Sequence, residues 1–141
     1  MTSTRQWQDK YGSYQLVCHE NYIEAKVVGS IGEDITARFN KDITTLAISF
    51  SGRPFGYLAD LRASEGYTEF ALRNIIRGYK SCLELGCVID AMMISSPLVK
   101  SQMQTINDAL DIPIPLEVRI FDDHTTAVAF IQKIIRKAAD A

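Results

Sequence analysis

Long apolar runs are missing from this 141-residue chain. Each one is broken within a few residues by Asp90, Asp122 or Arg136, far short of the ~20 residues a membrane span needs. Charge of one sign is also lacking: 15 Lys and Arg stand against 17 Asp and Glu, a net charge of −2. There is therefore no positive field to gather nucleic acid or anionic lipid. Cysteine is scarce and odd in number, with Cys18, Cys82 and Cys87 only, which excludes a disulfide framework. With just His19 and His124 to complete a set, Cys82 and Cys87 make a poor zinc site, and the reading is three small buried hydrophobes with no metal or cofactor. Glycines such as Gly29, Gly32, Gly52 and Gly56 never approach a Walker or dinucleotide fingerprint, which disfavours a nucleotide enzyme. The opening Met1 to Gln6 has no apolar core of a secretory signal, so the expected location is cytoplasmic.

What is present is the balance of an ordinary globular protein, 47% apolar and 23% charged. The length suits one domain, 1–141, with residues 1–13 as an N-terminal extension that either packs as an extra turn or mediates self-association in a homodimer. Tyr14, Leu16 and Cys18 alternate, as do Ile23, Ala25 and Val27 beyond the Glu20-Asn21 turn, which predicts a hairpin. Ser30-x-x-Glu33 has the spacing of a capping box, and Ile35, Phe39, Ile43, Leu46 and Phe50 continue it as a helix to about Ser49. A strand over Phe55 to Asp60, a loop over Leu61 to Gly66 and a helix from Thr68 to the Gly86 stop follow. On that helix Glu69 and Arg73 stand four apart to pair, and Arg73, Arg77 and Lys80 form a solvated face.

Val88 to Ser95 is a near-continuous apolar strand running into a Ser96-Pro97 helix start, with Pro97 at the first helical position. Asp111 to Pro115 is a connector, Leu116 to Phe121 a last strand, and Asp123 the cap of a final helix. Repeated strand-then-helix units predict an α/β fold: a mixed, mainly parallel sheet of about five strands with about four helices. Sites on such sheets sit at the strands' carboxyl ends, so a partner or ligand rim is expected from Asp60, Arg62, Ser64, Thr68, Glu69, Ser95, Ser96 and His124.

The chemistry offered by that rim is thin. A triad of Ser95 or Ser96 with His124 lacks the Gly-x-Ser-x-Gly elbow that exposes a nucleophile, and Ser96 and Asp123 already serve as caps. Asp60 and Asp90 on neighbouring strands could share a proton as an acid–base pair, but a strand Asp more commonly accepts hydrogen bonds from a loop or an Arg such as Arg62. The chain is expected not to be an enzyme, with a weak hydrolase as the remote alternative.

The order hairpin, capped helix, strand, helix carrying Arg77-Gly78-Tyr79-Lys80, strand, helix opened by Ser96-Pro97-Leu98-Val99-Lys100, strand, helix resembles the STAS-like family of bacterial anti-sigma-factor antagonists. It is closer to the SpoIIAA-like branch, grouped structurally with Sec14-type lipid-binding domains, and the resemblance runs from about Tyr14 to Arg136. It implies a regulatory module that binds a protein partner through the rim and the second helix. Phospho-switch members carry Asp-Ser-Ser/Thr-Gly where this chain has Thr68-Glu69-Phe70-Ala71, so the acceptor position holds Glu69, a carboxylate that cannot be phosphorylated, and Ser64 or Thr68 are the substitute acceptors. The Sec14 kinship implies a second reading, a carrier or sensor of a small apolar ligand walled by Phe39, Ile43, Phe50, Phe70, Met92, Met93 and Met103.

Overall fold

The computed structural model describes residues 3–140 and contains one five-stranded sheet in the order β1-β2-β3-β4-β5. The strands are β1 (Ser3–Gln8), β2 (Gly12–Cys18), β3 (Tyr22–Ile31), β4 (Phe55–Tyr67) and β5 (Cys87–Ile94). Between and after them come α1 (Glu33–Ile48), α2 (Glu69–Glu84), α3 (Pro97–Ala109), a 3-10 turn at Leu116–Arg119, and α4 (His124–Asp140). The α/β class and the expected order of hairpin, helix, strand, helix, strand and two further helices hold, but the sheet divides evenly. β1-β2 and β2-β3 are antiparallel, while β3-β4 and β4-β5 are parallel. "Mainly parallel" describes only the half with helical crossovers, because two-residue-scale turns can join antiparallel strands whereas parallel neighbours need a helix between them.

Alternation along the strands sorts their side chains onto two faces. Leu16, Ile23, Ala25, Ala59, Leu61 and Met92 face α1, α2 and α3, whose Phe39, Ile43, Leu72, Val99 and Ile106 pack on them. On the other face Tyr22, Leu58, Ile89, Ala91 and Met93 are covered by Ala127, Ile131 and Ile135 of α4, with Ile114 and Phe121 from the preceding segment packed against them. Each large apolar side chain so buried contributes roughly 1.5–3 kcal/mol. Asp123 starts α4 as expected, accepting from the Thr126 amide at 2.8 Å, and that bond first of all holds its carboxyl below the usual range.

Four sequence-based expectations are corrected. Residues 3–8 form an edge strand rather than an extra turn, with Trp7 stacked beneath the Arg38 guanidinium; Met1 and Thr2 lie outside the described residues. Ser30 does not cap α1: its backbone continues β3, Ile31 pairs with Tyr67, and the cap position falls to Gly32, which has no side chain to offer. Leu61 to Gly66 is not a loop. Beyond Leu61, β4 has only β3 beside it, so exposed Arg62 and Glu65 are the polar positions of an edge, with register shifts between Lys26 and Val28 and between Gly29 and Ser30. Leu116 to Phe121 is a 3-10 turn followed by one bridge, Ile120 to Met92, because Arg119 turns inward and breaks the alternation a strand would need.

Candidate functional site

Three helices start where the parallel strands end, and two of those starts carry the expected caps. The Thr68 hydroxyl accepts from the Ala71 amide at 3.2 Å, and the Ser96 hydroxyl accepts from the Val99 amide at 3.3 Å, with Pro97 behind it. Glu69 opens α2, where the dipole favours an anion, and receives the Arg73 guanidinium at 2.6 Å. That guanidinium also lies over the Phe70 ring, 5.4 Å from its centroid. Phe70 is 60% exposed and Leu98, the second residue of α3, is 56% exposed. Leu98 rests against Gly66, whose φ of +112° disfavours any side chain and where an added Cβ would lie 3.1 Å from a Leu98 methyl. Gln102 locks α3 to the end of β4: its amide oxygen accepts from the Tyr67 N–H at 3.0 Å and its amide nitrogen donates to the Tyr67 carbonyl at 2.8 Å.

The eight rim residues divide. Thr68 and Glu69 lie at the start of α2 and Ser95 and Ser96 at the start of α3, and Ser95, Thr68 and Glu69 are exposed. Ser64 is 4% exposed, its hydroxyl turned inward to accept from the Gly66 amide. Asp60 and Arg62 lie mid-strand on the opposite, α4-side face, bound by two side-chain hydrogen bonds of 3.0 and 2.9 Å. The Arg62 bonds are the main cause holding the Asp60 carboxyl below its usual range. His124 joins that side, its Nε2 3.1 Å from Glu24, whose other carboxylate oxygen is 3.1 Å from His19 Nε2. His124 is therefore engaged by Glu24 on one face while Ser96 caps a helix on the other, and the triad arrangement falls apart. The Asp60–Asp90 pair fails for the same reason, since Asp90 points to the helical side between Ile89 and Ala91, which face α4.

No family model and no curated protein sequence matches the chain. Solved structures do. The anti-sigma factor antagonist SpoIIAA in its unphosphorylated form superposes with a TM-score of 0.64 at 12% identity, over 86% of this chain and 97% of that one. A SpoIIAA-like-fold protein of the DUF3478 family from Shewanella loihica gives 0.57 at 14% identity, over 92% and 93%. An anti-sigma factor antagonist from Mycobacterium paratuberculosis gives 0.57 at 15% identity, over 94% and 95%. The chain has the STAS-like, SpoIIAA-like fold.

Within this SpoIIAA-like fold, the position that the resemblance gives to the phosphoacceptor is the first residue of α2, and the side chain there is Glu69. The sequence reading missed Arg119. It is 1% exposed and its Nη1 lies 2.5 Å from Asp90, itself 3% exposed, while its Nη2 donates to Asn107. A signal existed: Asp90 interrupts an otherwise apolar buried strand, and a buried carboxylate needs a cation. The three cysteines are buried free thiols, as read; burial pushes Cys82 up to about 12 and Cys87 higher still, so both stay protonated. Among the described residues no group of three or more His, Cys, Asp or Glu could hold a metal ion, and no helix is long and apolar enough to cross a membrane.

Proposed function

We propose that this chain is a non-enzymatic regulatory module whose protein partner docks on the carboxyl-end rim, across the first turns of α2 and α3. The observation that carries the reading is the exposure of Phe70 and Leu98 at adjoining helix starts, each on a fixed base: Phe70 under Arg73, Leu98 on Gly66 and the Gln102 lock. Isolated exposed apolar residues are ordinary, but aromatic anchors backed by Arg are the composition of interaction hot spots. Thr68, Glu69, Ser95 and Ser96 supply the polar surround. Similarity in fold to proteins named as anti-sigma factor antagonists supports the same class of role. Glu69 has no hydroxyl to phosphorylate, so on this reading partner binding is not switched at that residue.

The experiment is a pull-down from the native cell with the wild-type chain, a Phe70→Glu/Leu98→Glu variant, and Ile48→Glu as control. Ile48 is 59% exposed at the far end of α1. The expected result is a discrete set of proteins held by wild type and control and lost by the double variant. Retention of the same set by the double variant would refute the reading. The second reading, a carrier or sensor of a small apolar ligand, is disfavoured by volume. Of the proposed wall, Phe50 stacks on Phe55 in solid core at 4.6 Å, Met93 lies on the α4 face, and Phe70 is on the surface. Phe39, Ile43, Met92 and Met103 do border a cavity, but it measures about 50 Å³, a third of the ~150 Å³ that takes up benzene.

A further inference from the structure

β1 ends the sheet, and its outer side has no neighbouring strand among the described residues. Which backbone groups face outward follows from the hairpin. The Asp9 amide donates to the Gly12 carbonyl at 3.0 Å, and hydrogen-bonded pairs of an antiparallel ladder recur at every second residue, so Trp7, Arg5 and Ser3 are bonded to Tyr14, Leu16 and Cys18. Thr4, Gln6 and Gln8 are left with N–H and C=O pointing away from β2. The alternation is consistent on the far side of β2, where the His19 amide donates to the Tyr22 carbonyl and the Ser30 amide to the Tyr11 carbonyl.

An open edge is a template for another strand, and folded proteins guard it with Lys, Pro, a bulge or extreme shortness. β1 has none of these guards. It runs six residues, STRQWQ, in unbroken register with β2, and the guanidinium of its one charged residue, Arg5, is 3.6 Å from Asp42 on α1. The opposite edge differs. Along β5, Ile120 bridges Met92 and the Phe121 amide donates to the Met92 carbonyl at 2.9 Å.

We infer that β1 pairs antiparallel with β1 of a second copy of this chain, about a twofold axis at Gln6, joining two five-stranded sheets into one continuous sheet. The sequence of β1 selects that register. A twofold must set outward-facing residues opposite one another, so its centre falls on a residue of the strand. Centring on Arg5 puts the two arginines side by side, a destabilising like-charge pair, and within β1 matches Thr4 only with Gln6. Centring on Trp7 matches Gln6 only with Gln8, and centres nearer the strand ends match fewer still. Centring on Gln6 brings Thr4 opposite Gln8 and Gln6 opposite itself, which pairs every outward-facing residue of β1. It also sets Arg5 opposite the second copy's Trp7, in the kind of pair whose side chains approach most closely. Both side chains lie on the α1 side, where the Arg38 guanidinium is already 4.5 Å from the Trp7 ring centroid, so the indole gains a second cation. An interface of one strand pair belongs to the small, reversible class, and dimerisation is therefore concentration-dependent. Phe70 and Leu98 follow β4 and β5 at the other side of the sheet, so this pairing and partner docking are separable.

The test is size-exclusion chromatography with light scattering on the full chain, loaded from about 10 μM to about 1 mM. The mass is expected to rise with loading toward twice that of the chain. Gln6→Pro, which deletes only an outward N–H, and Gln6→Lys, which sets two ammonium groups opposite one another, should both stay monomeric with unchanged far-ultraviolet circular dichroism. Gln6→Lys alters only an exposed side chain, and it carries the test should Gln6→Pro fail to fold. Register is read by oxidation. Gln6→Cys should form a disulfide-linked dimer whereas Gln8→Cys, placed opposite Thr4, should not; the native thiols are buried and take no part. The inference is overturned by a mass that stays monomeric at the highest loading, by dimers that persist in either folded Gln6→Pro or Gln6→Lys, by growth past the dimer, or by Gln8→Cys linking as readily as Gln6→Cys.

Discussion

Gly78 sits in the Arg77-Gly78-Tyr79-Lys80 segment of α2, and replacing it by Ala sets two opposed effects against each other. In an exposed helix the change stabilises by about 1 kcal/mol, because glycine is the poorer helix former. Here a Cβ at 78 would run into the Asn40 side-chain amide on α1. Asn40 cannot simply swing aside: its Nδ2 donates to the Asn74 carbonyl at 2.6 Å, tying the two helices together at their crossing. Displacing it forfeits that hydrogen bond, about 0.5–1.5 kcal/mol, and forces the helices apart, about 1–3 kcal/mol for overpacking. Steric conflict wins, and Gly78→Ala should destabilise by about 1–3 kcal/mol, a fall of roughly 3–10 °C in Tm for a chain of this size. Asn40→Ala alone loses the bond but also removes Asn40 Oδ1, a buried oxygen with no partner among the described residues, so its cost should stay within about 1 kcal/mol. In that background Gly78→Ala should reverse sign and stabilise by about 0.5–1 kcal/mol. Urea unfolding of the four proteins, followed by far-ultraviolet circular dichroism, measures the cycle. If Gly78→Ala stabilises by itself, or costs the same with and without Asn40, the account of this crossing is wrong.

Removing either cap, by Thr68→Ala or Ser96→Ala, should cost about 0.5–2 kcal/mol in the same unfolding assay; a loss near zero for both would mean that these hydroxyls do not restrain the helix starts. Cys82, its pKa raised from 9.0 to about 12 by burial, should resist iodoacetamide at pH 8 in the native state and react in denaturant. The sign of its linkage follows: the folded state keeps the proton, so stability is complete below about pH 9 and declines between pH 9 and 12, by up to about 1.4 kcal/mol per pH unit. Cys82→Ala should reduce that alkaline slope, and an unchanged slope would locate the effect elsewhere. Incubation with a cognate-type kinase should leave Ser64 unmodified, because its hydroxyl is buried; a phosphopeptide map showing phosphate on Ser64 of folded protein would contradict the burial.

The hairpin, all four helices, the first half of β4 and β5 were readable because periodicity and cap chemistry act locally: Ser96-Pro97 and Asp123 each name the start of a helix within three residues. Ser30 misled because it satisfies the capping spacing while its backbone is claimed by pairing with β4, a non-local contact. The same contact turned Leu61 to Gly66 from an apparent loop into an edge strand, and that carried Asp60 and Arg62 to the face opposite Ser96. Polarity marks solvent, not secondary structure, and at a sheet edge the two diverge. Thr68, Glu69, Ser95 and Ser96 fall at helix starts because each lies within two residues of a strand end. Arg119 could not be found by pattern; it is 29 residues from Asp90 and is recognised only by asking which cation answers a carboxylate inside an apolar strand.

The double amide contact from Gln102 to the main chain of Tyr67 has a mechanical consequence. A pull or push on the tip of Leu98 reaches the β-layer through two short struts, bypassing the Ser95-Ser96 connection between strand and helix. Leu98 thus keeps its place on the sheet when pressed, and a partner of the proposed kind must be shaped to it instead of moulding it.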